Sequence, residues 1–214
     1  MPSPTPSPLP PGRITGRVLL NGAPPDGGAT LKLEDPAYNL ITQTSAGNDG
    51  VYAFGDLAPS SQGYNVVFAQ EWNEHLSLEE VVSWAWLGPV AVEDGTVAQL
   101  PDLEISPLGF GPISPEAGAS FPAGVISPEN PLRFAWTVYP QATTYWVDLV
   151  RGEEQTLVWQ SPLVQTPTAA FEGALSDGTR LEPGEYWWDV GARRALGPYT
   201  LTVYGYLPGL IIEP

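Results

Sequence analysis

The chain has 214 residues, 43% of them hydrophobic and 11% aromatic, with eight Trp, no Cys and Lys32 as its one lysine. Its 24 acids against 8 Lys+Arg give a net charge of −16, with 13 acids and 3 bases over 13–106 and 11 acids and 5 bases over 107–214. This composition supports a packed core, excludes disulfides, thiolate metal sites and Cys nucleophiles, and repels phosphate backbones and anionic headgroups, so nucleic-acid binding is not expected.

The opening residues, MPSPTPSPLPPG (1–12), read as an extended Pro/Ser/Thr linker. We expect a stalk of the kind that follows a bacterial export signal or lipid anchor, which places the chain outside the cell or on its surface, anchored through an upstream segment. No apolar run approaches the ~20 residues of a spanning helix, so no membrane insertion is expected.

From Arg13 onward, short alternating runs are separated by turns. Ile14, Gly16, Val18 and Leu20 alternate, then Leu31 and Leu33 around Lys32, then Tyr52 and Phe54, then Tyr64, Val66 and Phe68. APPDGG and GNDG carry the Gly, Asn and Asp that turns need. The Glu93-Asp94-Gly95 turn separates two further strands. High Gly and Pro content with period-2 strands predicts an all-β chain of two consecutive antiparallel β-sandwich domains.

The first half, through Ile14, Gly16, Val18, Gly28, Ala29, Leu31, Asp49, Gly50, Tyr52, Phe54, Leu57, Tyr64 and Val66, resembles the carboxypeptidase regulatory-like domain. That is a transthyretin-like sandwich related to Cna protein B-type repeats. The resemblance covers residues 13–106 and implies an accessory or stalk unit. Some Cna-B-type repeats carry a Lys–Asn isopeptide bond. Here Lys32 alternates with Leu31 and Leu33 and faces outward, which argues against one.

Residues 71–89 depart from that pattern as an insertion. Ser77-x-x-Glu80 has the form of a capping box, while Val82, Trp84 and Trp86 alternate. A turn leading into a strand is expected. A Pro- and Gly-rich stretch then marks a boundary near Ser106, with a second domain over 107–214. This half resembles a fibronectin type III-like or Ig-like domain of bacterial surface proteins. The resemblance is carried by Trp136, by Tyr145, Val147 and Leu149 in alternation, and by Leu181-x-Pro183-Gly184 leading into Tyr186 as in a tyrosine corner. Such modules have no intrinsic catalytic motif.

Little else points to chemistry. His75 is the one histidine and stands beside Glu74 with no nucleophile elbow in the chain. There is no phosphate loop. Glu71, Asn73 and Glu74 are close in sequence but form no calcium loop pattern, and turn formation explains them better. No catalytic residue, metal or cofactor is therefore expected.

One pattern remains. In PGEYWWDVGAR (183–193), alternation sends Tyr186, Trp188 and Val190 inward, and Glu185, Trp187 and Asp189 outward. On the neighbouring strand Trp146 and Asp148 face out. Tyr204 joins them from the following strand, and Trp159 lies close on another. An aromatic face bordered by carboxylates suits sugar stacking, but cross-strand aromatics also serve simply to hold a sheet together. Two readings stay open. The first is a non-catalytic spacer or protein-interaction unit. The second is a carbohydrate-binding module using Trp146, Trp187, Tyr204 and Trp159. A third, a small hydrolase, would need a cleft holding two perturbed carboxylates. The partner is another surface protein or a polysaccharide, and the oligomeric state stays open.

Overall fold

The computed structural model describes residues 10–152, 155–175, 177–206 and 208–214. The expected linker over 1–12 lies outside the described residues as far as residue 9. Among the described residues the regular structure is β-strand, with two short 3₁₀ turns at Gln70–Trp72 and Ala123–Val125. The chain is all-β, as its period-2 pattern predicts. It divides into two compact units. One gathers the residues up to His75 with Trp86–Ser106 and Leu196–Leu201. The other gathers Leu76–Ala85, Pro107–Ala195 and Thr202–Pro214.

The first unit contains β1 (Gly12–Leu19), β2 (Ala29–Glu34), β3 (Leu40–Ala46), β4 (Val51–Leu57) and β5 (Ser60–Ala69). To these it adds β6 (Trp84–Val92) from Trp86 onward, β7 (Val97–Gln99) and β8 (Leu103–Glu104). One sheet runs β4-β1-β7, with β8 also on β1; the other runs β3-β2-β5-β6. β1 pairs antiparallel with β4 but parallel with β7 and β8. The Glu93-Asp94-Gly95 turn therefore carries the chain from one sheet to the other. Ile14, Val18, Leu31, Leu33, Phe54, Val66 and Phe68 are buried in the core. Gly16 stands opposite Tyr52, whose ring fills the space a side chain would take. The Tyr64 hydroxyl donates to the Ala58 carbonyl at 3.0 Å and ties the start of β5 to the preceding corner.

The second unit contains β9 (Pro112–Ser114), β10 (Ala119–Pro122), β11 (Leu132–Trp136), β12 (Thr144–Arg151), β13 (Thr156–Gln160) and β14 (Thr168–Phe171). β15 (Gly184–Leu196) as far as Ala195, β16 (Tyr199–Tyr204) from Thr202 onward and β17 (Gly209–Glu213) follow. A three-stranded sheet runs β14-β11-β9. In the larger sheet β15 pairs with β12 on one side, and β12 pairs on with β13. On its other side β15 meets β17 through Gly184–Trp187, and Gly205, just past β16, bonds Val190. β10 joins β17 in parallel. The core is aromatic. Phe134 lies 5.0 Å from Trp188, and Trp136 lies 5.7 Å from Tyr145, centroid to centroid. Such rings bury large apolar areas and prefer these tilted contacts. Tyr186 donates its hydroxyl to the Glu182 carbonyl at 2.8 Å, with Leu181 buried beside it, which is the geometry of a tyrosine corner.

Candidate functional site: the outer face of β12 and β15

Opposite residues on an antiparallel pair share a face of the sheet. The β12–β15 register sets Trp146 against Gly191, Asp148 against Asp189 and Val150 against Trp187. Tyr145, Val147 and Leu149 oppose Ala192, Val190 and Trp188 on the other, core-facing side. The expected sorting of these two strands into inner and outer residues is thus what the register produces. Tyr204 joins the outer set, its ring meeting that of Trp146 edge-on at 5.4 Å.

Two expectations about this face need correction. Trp159 is not on it. It opposes Leu149, just before a register shift in the β12–β13 pair, and so lies on the core side. There it stacks with Phe134 at 5.8 Å and meets Phe171 edge-on at 5.2 Å. A bulge or a slip of one residue reverses the face of a side chain, and sequence alternation alone does not locate one.

The second correction concerns Trp146. It faces out from the core but is only 3% exposed. Its ring lies flat over Gly191, where an added Cβ would collide with the indole carbons. Its Nε1 donates to Asp148 Oδ2 at 3.0 Å, and the Arg193 guanidinium sits 4.9 Å above the ring. Asp148 is 8% exposed. Its other oxygen accepts Gln160 Nε2 at 2.7 Å, and the Tyr204 hydroxyl bonds it as well. Trp187 keeps part of its surface and lies against Gly209, 3.5 Å from a Cβ placed there.

The centre of the face is a pair of carboxyl groups. Burial raises the Asp148 carboxyl above the ordinary carboxylate range, against the pull of its bonds from Gln160, Trp146 and Tyr204. Burial raises Asp189 well above that range, and the charge of Asp148 adds to the effect. Asp189 retains some exposed surface, yet its Oδ1 is shut off from solvent with no hydrogen-bond partner. Burial and the two carboxylates also push the Tyr204 hydroxyl up. Alternation sends both aspartates outward but does not by itself reveal their pairing. The signal was present: Trp146-Val147-Asp148 and Trp187-Trp188-Asp189 are the same Trp-x-Asp spacing on adjacent strands.

The other residues weighed from sequence are committed elsewhere. Asn73 is buried and accepts the Thr30 N–H at 2.7 Å while donating to the Thr30 and Ala69 carbonyls. Its amide is spent on backbone and not on an ion. His75 Nε2 lies 3.1 Å from the Gly28 carbonyl. Lys32 rests its ammonium 3.4 Å from the centroid of the Trp72 ring. Ser77 donates both its N–H and its hydroxyl to Glu80 Oε2 around a single turn, and the chain then enters β6 at Trp84 as a strand. Among the described residues no group of three or more His, Cys, Asp or Glu could hold a metal ion. No helix among them is long and apolar enough to cross a membrane.

Comparison with protein-family models and with curated protein sequences finds no match. Among solved structures, a chain described as "Biofilm associated protein - BSP domain" is similar over 96% of this chain, at 11% identity and a TM-score of 0.22. The aligned region covers 29% of that chain's length.

Proposed function

We propose that this chain is a non-catalytic pair of β-sandwich modules, serving as a spacer and protein-interaction unit of a bacterial surface or secreted protein. In this reading the first unit is of the carboxypeptidase regulatory-like kind and the second of the fibronectin type III-like kind. The tyrosine corner at Tyr186 and the placement of β15 beside β12 support the second assignment. A strongly acidic surface keeps such modules soluble and apart from one another.

The observation that carries the reading is the closure of the aromatic face. A glycan platform needs an open ring, and Trp146 is used up inside the fold by Gly191, Asp148 and Arg193. The carbohydrate alternative then rests on Trp187, the indole of this face that keeps exposed surface. Intrinsic tryptophan fluorescence, titrated with a panel of soluble polysaccharides on wild type and Trp187→Ala, separates the two. No saturable change is expected. A saturable shift that vanishes in a folded Trp187→Ala would replace the spacer reading with glycan binding. Turnover of any polysaccharide that is abolished by Asp148→Asn would overturn the non-catalytic assignment.

A further inference from the structure

Asp148 and Asp189 face each other directly across the β12–β15 pair. Opposed residues in such a pair have Cβ atoms about 4.5–5.5 Å apart, and like charges there repel. Asp148 is buried and Asp189 has one enclosed oxygen, and carboxyls brought together out of water oppose a second negative charge. Among the described residues no ion pair to either carboxyl is found; the nearby cation, Arg193, lies over the Trp146 ring. From β12 the neighbouring polar side chain is the Trp146 indole, a donor to Asp148. From β13 it is Gln160, which is neutral. From β15 the same face carries Arg193, held over the Trp146 ring, and Glu185, which is exposed. From β16 it is Tyr204, a neutral hydroxyl. β17 presents Gly209 and Ile211 opposite Trp187 and Glu185 and adds no charge there.

The two aspartates also differ. Asp148 is surrounded by donors on both oxygens, so it is the member that holds the negative charge. Asp189 has an enclosed oxygen with no partner, so it is the member that holds the proton. We propose that Asp148 and Asp189 form a carboxyl–carboxylate pair that keeps the outer face of this sheet closed while Asp189 holds its proton, and loosens it when that proton is lost. In the closed state the pair has one negative charge. Rising pH removes one proton to solvent, the pair carries two, and repulsion acts across the strand pair beneath Trp146. The module is then tightest in acid and slackens as the medium turns alkaline, the opposite of ordinary acid denaturation.

The test is a pH titration of the intact chain. With aspartate side chains labelled in the carboxyl carbon, wild type is expected to show one Asp resonance whose midpoint lies far above the ordinary aspartate range. A concerted shift in tryptophan fluorescence, with faster amide exchange in β12 and β15, should follow the same midpoint. In Asp189→Asn that midpoint should disappear while the fold is retained. The idea is overturned if every Asp carbon of wild type titrates in the ordinary range. It is also overturned if the fluorescence transition survives unchanged in both Asp148→Asn and Asp189→Asn. Should either variant fail to fold, the carbon titration of wild type decides alone.

Discussion

Aspartate is used in two opposite ways in this chain. In the loops, Asp35 accepts the N–H groups of Ala37 and Asn39 and the Asn39 amide, and Asp177 accepts the Thr179 N–H and hydroxyl. These bonds favour the charged form and lower both carboxyls. On the outer face of β12 and β15, Asp148 has comparable donors yet is raised, because burial outweighs them. Asp189 has less help and is raised further. The same side chain therefore stabilises the fold at opposite ends of the pH scale. What differs is whether water can reach the carboxyl, since burial penalises only the ionised form.

The consequences have definite signs. A carboxyl lowered in the fold contributes stability above its unfolded value near pH 4 and loses it as pH falls through the folded value. A carboxyl raised in the fold contributes fully below about pH 4 and loses its contribution as pH rises through the folded value. Asp35 and Asp177 belong to the first class, Asp148 and Asp189 to the second.

Gly191→Ala breaks the contrast most strongly. The new methyl group collides with the Trp146 ring, and overpacking of this kind typically costs about 1–3 kcal/mol. Displacing Trp146 should also admit water to Asp148 and bring its titration down toward the loop aspartates. Chemical denaturation and carboxyl titration of the variant read both effects. Next comes Trp146→Phe, which keeps a ring over Gly191 but removes the donor to Asp148. We expect a loss of about 1.5–3 kcal/mol at neutral pH, typical for a hydrogen bond to a charged group, with the Asp148 carboxyl rising further. Asp189→Asn sharpens the contrast. It should melt with wild type near pH 4 and above wild type at alkaline pH, so that the difference in Tm grows with pH. Asp35→Asn has the smallest effect and the opposite slope. Its Tm should fall slightly below wild type at neutral pH and coincide with it in acid.

Sequence alone reveals which side of β12 and of β15 faces the core. Tyr145, Val147 and Leu149 on one strand, and Tyr186, Trp188 and Val190 on another, follow from alternation and are buried as expected. The corner at Tyr186 was legible because Leu181-x-Pro183-Gly184 fixes the chain's approach. Trp159 was misplaced because its face depends on a pairing register that no local pattern encodes. The burial of Trp146 was hidden for a different reason. Alternation sorts side chains into two faces but does not say whether the second face meets water. Gly191 was the available clue, since a glycine inside a strand signals a close approach by another group.

That glycine also constrains how this chain can change over time. Trp146 fills the space Gly191 leaves, and Gly191 leaves that space because Trp146 occupies it. Any larger residue at 191 demands a smaller one at 146, and a smaller one at 146 leaves Asp148 without its indole donor. The two positions behave as a single inherited unit, so tolerated drift at either should be found only in chains where both have changed.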